Sequence, residues 1–375
     1  MLVESVAPGS QAQPSFDDRT TALGNASRRI FQSLGIWDPI ERQGAAIRAI
    51  HVSDAGRFGF ARLEARDQGV EAFGYVAPNR AIGAALWEKL SAASTGLALR
   101  VPAKLEAIQI EADRVALTVR GASGIEHLTA RLVVAADGAD SSVRRAAGID
   151  ARIEEYDQVA LVANLRADRP HDGTAFERFT PLGPIALLPL HDGSYTTVWA
   201  RSPSQAEHTL ALDERAFLRA LQGEFGWRAG RFVHAGRRAA YPLRLTRALA
   251  AVRARTVLIG NAAQALHPVA GQGFNLGLRD AAHLAELLAG TAGDPGRPEL
   301  LARFAREREA DRRGVAGFTD GLVRLFGDAR RPVRLARNLG LLAFDVLPPA
   351  KRALARVSTG FGGRTPRLAR GLRLT

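Results

Sequence analysis

The chain contains no cysteine among its 375 residues. That one absence excludes disulfides, thiolate zinc sites, iron–sulfur clusters and a cysteine nucleophile. Its eight histidines are scattered, with no His-Glu-x-x-His or comparable pairing, so the spacing of a histidine metal site is missing too. No run of eighteen apolar residues occurs, which argues against a helix that spans a bilayer. The N-terminus opens Met1-Leu2-Val3-Glu4 and soon turns polar, unlike a secretory signal. Lysine is scarce: only Lys89, Lys104 and Lys351 occur, so 48 of the 51 basic residues are arginine.

The formal charge of +13 would suit a nucleic-acid binder, but the excess is local. Residues 330–375 hold eleven basic residues against the single acid Asp345, so this segment alone carries +10 of the +13. The remainder is near neutral and has no basic stripe interleaved with aromatics, so nucleic acid is not an expected partner.

What is present points to an α/β protein, and the length makes two domains the default. Three continuous apolar runs resemble buried parallel strands: Met1-Leu2-Val3, Leu132-Val133-Val134-Ala135-Ala136 and Thr256-Val257-Leu258-Ile259. They end at Glu4, at Asp137-Gly138 and at Gly260-Asn261. Ligands of open α/β sheets sit beyond the carboxyl ends of strands, so the three tips are expected to converge on one ligand. Residues 107–120 alternate like a hairpin, and residues 159–241 read as an antiparallel sheet interrupted by a helix near 213–225. Helical periodicity returns over residues 274–289 and again over 301–313, where Arg303 with Glu307 and Glu309 with Arg313 stand four apart.

The richest chemistry lies in residues 260–275. Gly260-Asn261 is a small pair at a strand end, His267-Pro268 makes a rigid turn, and Gly271-Gln272-Gly273 opens directly into a helix that continues through Asn275. Free amides and the positive dipole end at such a helix start favour an anion. By residue type alone, His191, His234 and Tyr241 are candidate bases, and His267 is better placed by its motif, with turn stabilisation as its default role.

The string Arg-Leu-Val-Val-Ala-Ala-Asp-Gly-Ala-Asp-Ser-Ser-Val-Arg at 131–144 resembles the Asp-Gly motif of the class A flavoprotein monooxygenases. Residues 260–280 resemble their Gly-Asp motif, with Asn261 where the wider family more often has Asp. Phe16-Asp17-Asp18-Arg19-Thr20-Thr21-Ala22-Leu23, Phe176-Glu177-Arg178-Phe179-Thr180 and Gly183-Pro184-Ile185-Ala186-Leu187-Leu188-Pro189 are similar to the ubiquinone-biosynthesis hydroxylases, closest to the 2-polyprenyl-6-methoxyphenol hydroxylases. The resemblance reaches to about residue 350.

The resemblance implies FAD as cofactor, with NAD(P)H or another reductant as electron donor. Glu4 would hold the adenosine ribose, Asp137 and Gly138 would lie near the pyrophosphate, and Arg19 and Arg80 would contact flavin. Gly260 and Asn261 would approach the ribityl chain, and Pro268 would lie beside the isoalloxazine. Gly271, Gln272 and Gly273 would face the flavin N1/O2 edge, and Asn275 would join the cofactor-binding residues. The implied reaction is hydroxylation of a polyprenyl phenol by O₂ in ubiquinone biosynthesis, through a flavin C4a-hydroperoxide. A different lipophilic phenol, or a non-catalytic subunit of a membrane-associated assembly, stay open as alternatives.

The implied fold is a parallel-sheet FAD-binding domain (1–50, 78–150 and 246–320), an antiparallel β-sheet substrate domain (51–77 and 151–245), and a helical basic C-terminal region (321–375). That last region is expected to meet the membrane surface, and other ubiquinone-biosynthesis proteins are candidate partners. The implied location is cytoplasmic, peripheral on the inner membrane face. One element departs from the family: only three residues precede Glu4, where a strand, a Gly-x-Gly-x-x-Gly turn and a helix are expected. The parallel sheet is therefore expected to be truncated at its first βα unit, and residues 1–375 to retain FAD weakly or not at all.

Overall fold

A computed structural model describes residues 1–8, 10, 19–92, 96–328 and 330–374. Phe16, Asp17 and Asp18 of the expected arginine signature lie outside these. Strands and helices are numbered in chain order. The dominant layer is a sheet of eight described strands, in spatial order β19 (Gln264–Ala265), β16 (Phe232–Ala248), β12 (Ala151–Ala167), β15 (Tyr195–Arg201), β14 (Gly183–Pro189), β13 (Thr174–Thr180), β4 (Ala49–Asp54) and β5 (Phe60–Glu64). Its pairings are antiparallel except β13 with β4, so the predicted antiparallel sheet is a mixed one joined by a hairpin from far upstream.

One face of this sheet carries Leu161, Ile185, Leu187 and Trp199, which pack on helices α5 (Pro203–Ala211) through Ala206 and α6 (Glu214–Phe225) through Phe217, Leu221 and Phe225. The two helices start where their caps dictate. Ser202 and Gln205 form a reciprocal capping box, and the Asp213 carboxylate accepts the Ala216 amide. The opposite face looks toward the rest of the molecule, and the site lies there.

The smaller sheets frame it. β2 (Thr20–Gly24), β6 (Gly74–Pro78) and β3 (Ala45–Ile47) form an antiparallel trio packed on α1 (Asn25–Ser33), α2 (Trp37–Glu41) and α3 (Asn79–Ala92). The predicted hairpin is the first two strands of a meander, β8 (Ala103–Ile110), β9 (Val115–Gly121) and β10 (Gly124–Ala130). β11 (Val133–Ala135) runs parallel to β18 (Thr256–Leu258), which also pairs β17 (Val252–Arg253).

β1 (Leu2–Val3), however, pairs only β7 (Leu99–Arg100) among the described strands, in a separate parallel pair. Glu4 therefore does not share a sheet with the other two expected tips. β1 and β11 each present one edge that no described strand covers, and Val134 in β11 is 41% exposed, unusual for a parallel strand.

The C-terminal third is helical: α7 (Gln272–Ala289), α8 (Pro298–Gly327), α9 (Arg331–Val346) and α10 (Pro348–Ser358). The short α4 (Ser142–Ala146) follows the Asp-Gly loop. α9 covers the free edge of the large sheet. The Gly59 and Arg62 amides, at and within β5, donate to Asn338 Oδ1 and Asp345 Oδ1, both at 2.9 Å. Covering an edge in this way satisfies strand amides that would otherwise invite pairing with another chain.

Candidate active site

The site is built on a close approach between a strand end and a helix. After β18 the backbone turns at Gly260, with φ of +57°, a conformation that glycine adopts without strain. The Ile259 amide donates to Ala135 O at 3.0 Å, keeping this end beside β11. Gly277, in α7, lies against Gly260: a Cβ there would stand 2.8 Å from Gly260 Cα. α7 itself begins after Gly271, at φ +59°, with no side chain capping it. Its first amides lack intrahelical acceptors, and a Cβ on Gly273 would meet nothing within 4 Å. An open, uncapped start of this kind fits the anionic N1/O2 edge of a reduced flavin.

The Asn275 side chain is committed to the scaffold. Its Oδ1 accepts from the Gly24 amide at 2.8 Å and Ser27 Oγ at 2.7 Å, and its Nδ2 donates to Ala22 O and Gly271 O at 2.8 and 2.9 Å. All the hydrogen-bonding capacity of the amide is thereby engaged in fastening β2 to the start of α7. Gln272 is buried and donates to Ser358 O at 3.4 Å. Pro268 precedes the short 3₁₀ turn Val269–Gly271 that leads into α7.

The Asp-Gly loop is drawn to the same place. Asp137 accepts from the Val143 amide at 3.1 Å and from Ser141 and Ser142, so it organises the start of α4, while Gly138, at φ +88°, leaves open space where a Cβ would stand. Arg144, buried, donates to Ala139 O at 2.9 Å and to Ala262 O at 3.0 Å, which ties this loop to the turn carrying Gly260 and Asn261. Arg19 and Arg80 are neighbours through the β2–β6 pairing: the Asn79 amide donates to Arg19 O at 2.8 Å. The Arg19 guanidinium lies 5.0 Å over the Tyr241 ring, on the inward face of the large sheet. Glu4 ends β1 and accepts the Val6 amide at 3.0 Å.

Facing Pro268 across a gap is the sheet. Glu177, Pro184, Ala186, Val198 and Ala200 form one wall and His267, Pro268 and Val269 the other, with a narrow, open hollow between them. Pro184 also lines a second, shallow hollow, which runs past Phe179 to Val323 and Phe326 of α8. His267 is held as a neutral imidazole. Its Nδ1 accepts the Val269 amide at 3.2 Å, which leaves the proton on Nε2, 3.4 Å from Gln158 Oε1, and burial lowers its pKa to about 4. Of the other candidate bases, His191 is exposed beyond β14, and His234 is an exposed partner of Glu214 at 2.7 Å.

Behind the site a buried charge cluster locks the helices together. Asp280, fully buried in α7, accepts from Arg308 Nε at 2.7 Å and Arg312 Nη2 at 3.0 Å, both from α8. Arg312 also donates to Leu258 O at 3.2 Å, at the end of β18, and Asp311 joins Arg308 to Arg279. The i,i+4 spacing that marks the surface pairs along α8 does not mark Asp280 with Arg308 and Arg312, which stand 28 and 32 residues apart. Glu177 and Arg144 sat inside quoted motifs without being singled out. The alternation of β13 could have marked Glu177, since it falls on the same face as Phe179 and opposite Phe176.

This chain belongs to the FAD binding domain family, whose match spans residues 1–319, and is a flavoprotein monooxygenase of class A. More particularly, it is 36% identical over 383 residues to ubiquinone hydroxylase UbiL of Rhodospirillum rubrum, covering 100% of this chain and 87% of that one. It is 30% identical to the 3-demethoxyubiquinol 3-hydroxylase of Escherichia coli, covering 96% of this chain and 92% of that one. In fold it is similar to the p-nitrophenol 4-monooxygenase PnpA of Pseudomonas putida, with a TM-score of 0.77 at 19% identity over 96% of this chain and 91% of that one.

Proposed function

We propose that the chain hydroxylates the ring of a polyprenyl phenol on the route to ubiquinone. The observation that carries this reading is the open, uncapped start of α7 beside Pro268, facing the apolar inner wall of the large sheet. A phenol ring laid against the apolar wall at Pro184, Ala186 and Val198 would stand beside Pro268 and the open start of α7, and the apolar residues Phe179, Val323 and Phe326 lie where an isoprenoid tail would continue. Bound FAD, reduced by NAD(P)H or another donor, supplies the activation of O₂. The protein contributes orientation, an anion-stabilising helix end and an apolar enclosure.

In this reading Gly271, Gln272 and Gly273 meet the flavin ring edge, Pro268 lies beside the ring, and Gly260 and Asn261 approach its side chain. Arg19, Arg80, Asp137, Gly138 and Glu4 contact the remainder of the cofactor, and Asn275 shapes the site without touching it. Residues 1–50, 78–150 and 246–320 serve the cofactor, 51–77 and 151–245 the substrate. A 2-polyprenyl-6-methoxyphenol incubated with the protein, FAD, NADH and O₂ is expected to gain one oxygen on the ring, read by mass spectrometry. Reductant consumption with no oxygenated product would sink the reading.

A substrate of this kind resides in a bilayer, and no described helix is long and apolar enough to cross one. Support for a surface contact comes from α9, where Leu335, Leu339 and Val346 are 57%, 53% and 75% exposed and recur at helical spacing. Exposed Arg331, Arg352 and Arg356 lie on α9 and the adjoining α10, and basic residues beside anionic lipid contribute about 1 kcal/mol each.

The basic segment differs from the solvated tail its composition allows. Arg337 is buried against Asp54, Lys351 pairs with Asp345, and Arg364 pairs with Glu307. Leu368 and Ala369 pack on α1. Point changes rather than removal of the segment therefore test the contact. The double variant Leu335→Asp with Leu339→Asp is expected to lose flotation with anionic liposomes while its melting curve is unchanged, and undiminished flotation would discard the α9 contact.

A further inference from the structure

The cavity wall holds a carboxylate with nothing to bind. Glu177 pairs across the strands with Val52 and Ala186, and Ala186 with Val198, so its neighbours in that row are aliphatic. Phe179, Pro184 and Ala200, on the same face, extend the apolar surface. Among the described residues its side chain has no hydrogen-bond or ion-pair partner. Glu177 is half-buried in a largely apolar wall, so its carboxylate stays open to the hollow while folding gives the position no partner. That placement is explained by a ligand that brings a hydrogen-bond donor.

His267, across the cavity, is not the alternative base, because both of its ring nitrogens are engaged, one by the Val269 amide and one by Gln158. Resting on the phenol reading above, we propose that the Glu177 carboxylate takes up the hydroxyl proton of the bound phenol and thereby sets which ring carbon faces the flavin edge. The phenol O–H bond breaks and a carboxyl O–H bond forms. The bonding pair stays on the phenolate oxygen, and no electron is gained or lost by either partner. The phenolate pushes charge onto its ortho and para carbons, which favours attack on an electrophilic oxygen, and Glu177 returns the proton to the product.

Desolvation pushes the Glu177 carboxyl up to about 7, within the range useful to a general base at neutral pH. The groups facing it do not compete for that titration. His267 on the opposite wall is neutral, the β4, β14 and β15 positions beside it are Val52, Ala186 and Val198, and Asp54, further along β4, is paired with Arg337. Arg178, next on its own strand, donates from the other face to Glu224 O.

The sign follows. Above about pH 7 the carboxylate is present to accept the hydroxyl, and below it the acid form cannot. With 4-methoxyphenol as probe, FAD present and no reductant, calorimetry on the wild-type protein should show affinity rising roughly tenfold between about pH 6 and 8. Glu177→Gln should bind without that pH dependence and hydroxylate with kcat/KM lower by about 10²–10³-fold. Glu177→Leu should fold with undiminished stability and show the same losses, whereas a merely structural role would destabilise it. A Glu177→Gln protein that keeps the pH limb, or hydroxylates within about threefold of wild type, overturns the proposal. A wild-type protein with the Glu177-dependent limb but no oxygenated polyprenyl product would leave the proton acceptor standing and remove the substrate reading instead.

Discussion

Replacing Asp280 by alanine is expected to destabilise the protein by about 3–5 kcal/mol, read as a fall in the urea midpoint at unchanged slope. Asp280 is fully buried, and its two oxygens receive Arg308 and Arg312. Removing it leaves two guanidinium groups in the interior with Asp311 as the remaining acidic partner of Arg308. The effect reaches the site because Arg312 also holds Leu258 O, two residues before the turn at Gly260. A loss of FAD affinity should therefore accompany the loss of stability, followed by flavin fluorescence quenching. Asp280→Asn, which keeps the shape and one acceptor, should fall between alanine and wild type. An alanine variant as stable as wild type would show that the cluster relaxes and contributes nothing.

The second large effect is expected at Asp54. Its Oδ2 accepts from Arg337 Nη2 at 2.6 Å, Arg337 Nε at 3.0 Å and Asn338 Nδ2 at 3.1 Å. Arg337 in turn donates to Leu325 O and Phe326 O at the end of α8, and its guanidinium lies 5.0 Å over the Phe326 ring. One arginine therefore joins β4, α8 and α9. Asp54→Ala strands that charge, and about 3–5 kcal/mol is again the expected penalty. Here it should appear as local opening: amide exchange across residues 331–346 accelerates, while the β12–β15 core keeps its protection. Unchanged exchange over α9 would mean that apolar packing, not the ion pair, holds the helix. Because α9 also caps the edge amides of Gly59 and Arg62, the same variant should be more prone to aggregate.

Both residues mark where reading the chain alone ran short. The arginine surplus of residues 330–375 was visible as charge, but charge counts do not reveal a partner 283 residues upstream, as Asp54 is from Arg337. The glycines at 260, 271 and 273 were legible as a ligand loop because small residues at a strand end and a helix start have few other uses. Asn275 belongs to the same string, yet its four bonds are to the scaffold, a distinction that needs the β2 backbone in place. Glu4 was legible as a strand-end acid, while its placement in a sheet apart from β11 and β18 was not, since strand pairing over long separations leaves little local trace.

The sequence by itself determined the family and the flavin, because those rest on backbone conformations that short glycine-rich strings dictate locally. Tertiary structure alone decided which polar groups are left over. Alternation in β13 says only that Glu177 and Arg178 face opposite ways; the packing of the sheet against the turn at Pro268 makes one of them an acid with no partner among the described residues and the other a donor to Glu224 O. Burial and pairing are properties of neighbours brought together by the fold, and they turn a carboxylate in the chain into a candidate base.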